Sequence, residues 1–152
     1  MKSVVKGCVE CGWKEIEGVQ EAIFEDGKKY CPVCDGHVPN YIRVVIVETG
    51  SPEIKIIEAW EHSLENLQQF VGGYIEPIRI DESITMWLNE EGKMQGLEPN
   101  FVLVNKGVTV ADTVVGNVLI AGTDREGNTI SLTDKEIEIL QEKFMSRTMF
   151  QL

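Results

Sequence analysis

The sequence predicts an α+β fold in two parts, and three patterns support this prediction. Four cysteines form two Cys-x-x-Cys pairs within the first 40 residues. In the rest of the chain, runs of β-branched residues alternate with turn signals. Two apolar stripes with helical spacing follow good N-cap residues. We therefore expect a small N-terminal ribbon (residues 1–40) and a mostly antiparallel sheet domain with two main helices (residues 41–152).

The spacing of the cysteines predicts a metal site. Nineteen residues separate the pair Cys8 and Cys11 from the pair Cys31 and Cys34. Each pair offers two thiolates, and two such pairs complete a tetrahedron around Zn²⁺. His37 is a candidate substitute ligand, although four thiolates already fill the site. The sequence thus predicts a zinc ribbon, in which metal binding supplies folding energy to a very small unit.

The cellular compartment also favours a metal over disulfides. The chain begins Met-Lys-Ser and shows no apolar stretch typical of a secretory signal, which predicts a cytoplasmic location. In a reducing cytoplasm such cysteine pairs bind metal or carry redox chemistry. Iron is the alternative to zinc, because Cys-Gly-Trp and Cys-Pro-Val-Cys also resemble rubredoxin, a one-electron carrier. The lack of a second redox motif in the sequence favours zinc.

The first elements along the chain are short strands. Residues 21–30 predict a hairpin around Asp26 and Gly27, a good turn pair, and residues 37–40 predict a linker. Residues 41–48 are rich in Val and Ile and predict a buried strand. After a turn, residues 53–58 predict the returning strand of a second hairpin.

The first main helix is predicted to begin after Ser63 and to end near residue 71. Leu64, Leu67 and Val71 share one helical face, and Gly72 is a good C-cap. Further strands are expected at residues 74–80, 84–88, 93–97 and 114–121, with a turn at residues 89–92 and a short strand ending at residue 132. Pro77 predicts an edge position or a bulge in the first of these strands. Residues 101–105 are apolar and fit either a helix or a strand.

The last element is predicted to be the second main helix. Thr133 and Glu136 form a capping box, and the helix is expected to run to about residue 145. Ile137, Leu140 and Phe144 lie on its expected buried face. Residues 148–152 are expected to fray at the terminus.

The charge of the chain disfavours direct DNA binding. The formal net charge is −11, and residues 1–40 hold five basic and seven acidic residues against nine and eighteen in residues 41–152. Duplex binding relies on Lys and Arg that neutralise phosphates. The charge therefore argues against direct DNA binding, and we keep a nucleic-acid or transcription-associated ribbon protein only as the alternative interpretation. No apolar run approaches the length of a membrane span, so no membrane association is expected.

The sequence contains none of the common catalytic motifs. It has no Gly-x-Ser-x-Gly, Walker A, Gly-x-Gly-x-x-Gly or His-Glu-x-x-His pattern. Its two histidines are His37 and His62, and His62 is expected to be solvated at the start of a helix. We therefore expect a protein that is not an enzyme.

Several segments of the second part resemble a known family. They are Phe-Val-Gly-Gly-Tyr-Ile-Glu at residues 70–76, Asn-Glu-Glu-Gly-Lys at 89–93, Gly-Leu-Glu-Pro-Asn at 96–100 and Gly-Asn-Val-Leu-Ile-Ala-Gly at 116–122. Residues 54–144 are similar in this way to domain-of-unknown-function family 3846. The resemblance implies an accessory protein of a phage or mobile element, which would act in the cytoplasm of a bacterial host. The ribbon lies outside it.

These observations predict a binding protein that interferes with a host process such as defence. Its partner would be a host protein or a small nucleotide. Polar residues near turns of the second part could converge on one edge of the sheet, and arginines would be needed for phosphate. The candidate binding residues are Tyr74, Glu76, Arg79, Asn89, Glu91, Asn100 and Arg125. The sequence does not predict an oligomeric state.

Overall fold

The computed structural model describes residues 7, 8, 11, 13, 15, 21–25, 28–34, 36–106 and 109–152. The described part is an α+β structure whose strands are mostly antiparallel, as expected. The strands are β1 Ile23–Glu25, β2 Lys28–Tyr30, β3 His37–Val38, β4 Tyr41–Val47, β5 Lys55–Glu61, β6 Ile75–Asp81, β7 Ile84–Asn89, β8 Pro99–Asn105, β9 Thr109–Val115, β10 Val118–Thr123, β11 Thr129–Ile130, β12 Phe144–Ser146 and β13 Met149–Gln151. The helices are α1 Leu64–Val71 and α2 Asp134–Lys143.

Three sheets organise these strands. β1, β2 and β3 form a small antiparallel sheet in the N-terminal part. A six-stranded sheet has the order β5-β4-β10-β7-β6, with β11 paired to β10, and a four-stranded sheet has the order β12-β13-β8-β9. In the two larger sheets every pair is antiparallel except β13 with β8. β6 lies at an edge, which suits Pro77, a residue without a backbone N–H.

The six-stranded sheet is covered on both faces. One face packs against the four-stranded sheet and α2 through residues such as Val45, Ile120, Phe150 and Leu140. The opposite face packs against α1, mainly through Leu67 and other apolar side chains of that helix. Burial on both faces explains why β4 and β10 are almost continuously apolar rather than alternating.

Capping residues set the ends of both helices. Ser63 accepts a hydrogen bond from the Asn66 N–H at the start of α1, and Gly72 ends the helix with φ +84°. Thr133 and Glu136 form the expected capping box at the start of α2. Leu67 is buried as expected, whereas Leu64 is exposed, so the apolar face of α1 is narrower than its spacing predicts.

Some predicted strands differ from the structure. Residues 93–96 form turns and residue 97 is irregular, so this segment is not a strand. The single strand expected at residues 114–121 is two strands, β9 and β10, because Gly116 turns the chain with φ +76°. Residues 101–105 belong to β8, which already begins at Pro99. The first two differences arise where turns that contain Gly96 and Gly116 replace extended backbone.

The C-terminal residues were expected to fray, and this prediction is wrong. α2 ends at Lys143, and the chain continues into β12 and β13. Phe150 is fully buried and forms an aromatic cluster with Phe101 and Phe144, whose ring centroids lie 6.1 and 4.7 Å from its own. The burial of this aromatic side chain fixes the terminus in the core.

Two smaller predictions are also corrected. Residues 37–40 are not only a linker, because His37–Val38 pairs with β2 and Val38 is fully buried. His62 is not fully solvated: it is half-buried, and this burial lowers its pKa. The turn residues Asp26 and Gly27 lie outside the described residues, and so does the side chain of His37.

Candidate metal centre

The N-terminal sheet holds the four cysteines around a small apolar core. Cys8, Cys31 and Val38 are buried together, and Trp13 and Ala22 pack against them. β2 delivers Cys31 directly at its end, and the pairing of β2 with β3 brings Val38 under the cysteines. A short hairpin and two cysteine turns therefore position all four thiols without help from a long element.

The four sulfur atoms have the spacing of a tetrahedral metal site. Cys8 Sγ lies 3.6 Å from Cys34 Sγ, and Cys11 Sγ lies 3.7 Å from Cys31 Sγ. All four sulfurs lie within 4.8 Å of one another. Zn–S bonds of about 2.3 Å that point to the corners of a tetrahedron place the sulfurs about 3.8 Å apart. The S–S bond of a disulfide is about 2.05 Å, so these are four separate thiols.

The two cysteine turns have the same backbone pattern. The Cys8 N–H donates to the Trp13 carbonyl at 2.7 Å, and the Cys31 N–H donates to the Gly36 carbonyl at 2.8 Å. The Val33 N–H also approaches Cys31 Sγ at 3.4 Å. The Val33 amide would stabilise the negative charge of the Cys31 thiolate when a metal is bound. In each pair the first cysteine is buried and the second is exposed.

Without a metal, the exposed cysteines of the site favour the protonated thiol over the thiolate. The Gly36 amide acts to lower the pKa of Cys34, but the hydrogen bonds with Cys11 and Cys8 and the desolvation raise it to about 12. Despite a backbone hydrogen bond at Trp13 that acts to lower it, the pKa of Cys11 is also raised, by desolvation and the neighbouring thiols. A divalent ion must therefore displace protons when it binds.

The donor set allows a limited choice of metals. Four thiolates in a tetrahedron suit zinc or iron, and they leave no open coordination position for a substrate. The four cysteines named from their spacing are thus brought together as expected, and they could hold one metal ion.

Two of the candidate binding residues of the second part are buried inside the fold. Asn89 donates from Nδ2 to the Val71 carbonyl and to Gln95 Oε1, both at 3.1 Å, and it accepts from the Glu91 N–H at 2.8 Å. This side chain joins the end of α1 to the turn that follows β7.

Asn100 has a similar role between the two large sheets. Its Nδ2 donates to the carbonyls of Val47 and Gly116, both at 2.8 Å. The carbonyl of Asn100 accepts from Arg147, whose guanidinium also donates to the carbonyls of Glu48 and Ser51. Burial lowers the pKa of Arg147. Arg147 was not among the predicted residues, because only the fold brings residue 147 to these distant carbonyls.

The exposed candidates fall into two groups. Tyr74, Glu76 and Glu91 are exposed near Asn89, and the Tyr74 carbonyl accepts from the Glu90 N–H at 2.9 Å. Arg79 lies toward the other end of β6, where it donates to the Glu82 carbonyl at 2.9 Å. Arg125 lies in the turn between β10 and β11, just after Thr123, whose N–H donates to the Ser83 carbonyl at 2.8 Å beside that same end. The structure therefore brings Tyr74 close to Asn89 but does not bring the two arginines to them.

Sequence reasoning did not find a groove on the α1 side of the six-stranded sheet. The groove has a volume of about 390 Å³. Ala59, Trp60 and Glu61 of β5 and Asn66, Gln69 and Phe70 of α1 line it. The Trp60 and Phe70 rings meet edge to face with centroids 5.6 Å apart. Trp60 and Phe70 lie ten residues apart on different elements, so no local sequence motif predicts the groove.

Comparison with known proteins identifies one family. The model of a family described as "Domain of unknown function (DUF3846)" matches residues 42–145, and the four cysteines precede this stretch. No curated protein and no solved structure matches the chain. Within the described residues, no helix has the length and apolar character needed to cross a membrane.

Proposed function

The chain belongs to the DUF3846 family, and we propose that it is a zinc-stabilised binding protein that acts by docking to a partner protein rather than by catalysis. On this proposal the metal holds the N-terminal part together, and the larger α+β part provides the binding surface. The partner is a host protein, and the chain is an accessory protein of a phage or mobile element that interferes with a host process such as defence.

The closed set of sulfur ligands carries the proposal. A catalytic zinc site uses three protein ligands and keeps a position for water or substrate, whereas a structural site uses four. Cys8, Cys11, Cys31 and Cys34 together supply four thiols within 4.8 Å of one another. When zinc is bound there, it supplies cross-linking of two turns and no reactive water. We choose zinc over iron because the sequence holds no second redox motif.

The buried polar residues of the α+β part serve its structure. Among the residues that the structure describes there, they are Thr85, Asn89 and Asn100. Thr85 shares a 2.7 Å hydrogen bond with Thr123, and the two asparagines bond to backbone carbonyls. Amide and hydroxyl side chains do not titrate near neutral pH, so none of the three would act as a general acid or base, which agrees with a role in docking.

The charge of the chain favours a basic protein as the partner. A net charge of −11 repels nucleic acid and attracts proteins whose surfaces carry Lys and Arg. Charge complementarity of this kind raises the rate at which the two proteins associate more than it raises their final affinity. The predicted interaction should therefore weaken as salt screens the charges.

The test combines metal analysis with partner capture. The full chain carrying a C-terminal tag is purified from a bacterial host, and native mass spectrometry measures its metal and any co-purified chain. We expect one zinc ion per chain and one host protein in stoichiometric amount, which is released as salt is raised.

Three outcomes would reject the proposal. A red, iron-containing protein would support electron transfer instead. Capture of nucleic acid alone would support the transcription-associated alternative. A zinc-loaded chain without any stoichiometric protein partner would exclude docking to a host protein.

A further inference from the structure

The groove beside Trp60 has a rigid aromatic wall. We call the space lined by Ala59, Trp60, Glu61, Asn66, Gln69 and Phe70 the Trp60 groove. The rings of Trp60 and Phe70 cross at 70° with centroids 5.6 Å apart, and both pack against the buried residues under α1. Aromatic rings held in this way attract cations through the negative charge of their faces.

The rim of the groove offers hydrogen-bond acceptors. Glu61 and Gln69 are exposed, and within the part of the chain that the structure describes their side chains make no hydrogen bond or ion pair. Asn66 donates from Nδ2 to the Glu61 carbonyl at 2.9 Å, which leaves its own side-chain oxygen as an acceptor. A carboxylate and two amide oxygens therefore surround the aromatic wall.

This combination fits one side chain better than others. An arginine guanidinium is planar, always charged and carries only donors, so it can stack on an aromatic ring while it bonds to a carboxylate. A lysine ammonium is a compact, strongly hydrated charge that does not stack in this way. A phosphate would meet the Glu61 carboxylate and the net charge of −11. Arginine is also enriched at the energetic centres of protein interfaces.

We propose that the Trp60 groove receives an arginine side chain of the partner protein, with the guanidinium against Trp60 and paired with the Glu61 carboxylate. This inference rests on the proposed function, because it assigns the surface and the chemistry through which the partner docks. It also distinguishes the groove from the exposed residues near Asn89, which have no such aromatic wall.

Titration with a defined probe tests the groove without knowledge of the partner. The zinc-loaded, ¹⁵N-labelled full chain is titrated with N-acetyl-arginine-N-methylamide, and the indole signals of Trp13, Trp60 and Trp87 are followed by NMR. We expect saturable shifts of the Trp60 indole and the Gln69 carboxamide. The Trp87 indole is an internal control, because Trp87 lies on the same sheet face but does not line the groove.

Two variants and a neutral probe make the test specific. Glu61→Gln should weaken the binding of the arginine probe by about three- to tenfold. Glu65→Gln removes the same charge from an exposed residue that does not line the groove, so it should leave the binding unchanged within about twofold. The citrulline analogue has the same shape without the charge, and it should produce no saturable shift.

Several results would overturn the proposal. The proposal fails if the citrulline analogue produces equal shifts, if Trp60 and Trp87 shift equally, or if no shift saturates.

The captured host partner provides an independent experiment, in which Glu61→Gln should reduce its capture and Glu65→Gln should not. If both variants capture the partner fully, the groove assignment fails while the docking function stands. If no partner is captured, the docking function fails, and the probe titration still decides whether the groove binds arginine.

Discussion

Replacement of Asn100 by Ala tests whether this residue holds the two large sheets together or serves a binding site. Asn100 is only 7% exposed, and its Nδ2 donates to Val47 and Gly116 at 2.8 Å each. Alanine leaves both carbonyls without this donor. Asn105 lies on the same strand and is exposed, so Asn105→Ala is the matched control.

The hydrogen bonds set the size of the expected effect. A buried acceptor that loses its partner costs about 1–3 kcal/mol. Two such acceptors are affected, but Asn100 Oδ1 is itself buried without a partner among the described residues, and its removal offsets part of the cost. We expect Asn100→Ala to lower the free energy of unfolding by about 2–4 kcal/mol and Asn105→Ala to change it by less than about 0.5 kcal/mol.

Asn100→Asp adds a dependence on pH. The carboxylate places negative oxygens against two carbonyls, so its pKa in the folded state should rise above its value in the unfolded chain. A carboxyl whose pKa is raised by folding loses stability as pH rises through that range. The Asp variant should therefore be most destabilised near neutral pH and should recover part of its stability as the pH falls.

Urea unfolding followed by tryptophan fluorescence measures both effects, since Trp60 and Trp87 lie in the α+β part. If Asn100→Ala unfolds at the same urea concentration as the wild type, with an unchanged slope, the structural role is refuted. That result would instead favour Asn100 as a residue of a binding site.

Four further predictions follow from the structure. Gly116→Ala should lower the free energy of unfolding, measured in urea, by about 1–3 kcal/mol, because φ is +76° and the new Cβ would lie 2.8 Å from Leu97 Cδ1. Gly127→Ala is the control and should lower it by less, because φ is +88° but no atom lies within 4 Å of the new Cβ. Burial lowers the pKa of His62, so the wild type should lose stability as pH falls from about 6.5 toward that lower pKa, and His62→Gln should lose less in a pH series. Cys34→Ser removes one of the four sulfur ligands, so zinc occupancy should fall well below one ion per chain in elemental analysis, and the sheet of β1, β2 and β3 should lose its fold while the α+β part stays folded. Zinc loading at pH 7 should release at least two protons per ion in weakly buffered titrations, because two thiols have raised pKa values, and affinity should fall as the pH falls.

The parts of the fold that local chemistry dictates could be predicted from the sequence. The Cys-x-x-Cys spacing forces two thiols onto one turn, so only the meeting of the two turns needed the structure. Ser63, Gly72 and the Thr133 capping box set the helix ends through contacts within four residues. These features depend on near neighbours in the chain, which is why the sequence pattern identifies them.

The missed features depend on contacts between distant residues. β13 has three residues, and its parallel pairing with β8 joins Phe150 to Leu103, which no local pattern encodes. β9 is mostly exposed and shows no clear alternation, so its strand structure follows from pairing with β8. For the same reason the buried role of Asn100 and the Trp60 groove emerge only when separate elements meet. Periodicity cannot distinguish a polar side chain that satisfies distant carbonyls from one that binds a partner.

X-ray absorption spectroscopy of the freshly purified full chain tests the central claim most directly, because it identifies both the metal and its ligands. The account predicts zinc surrounded by four sulfur atoms at about 2.3 Å, with one ion per chain by elemental analysis. Nitrogen or oxygen atoms in the ligand shell, or a metal-free chain in which the sheet of β1, β2 and β3 remains folded, would contradict it.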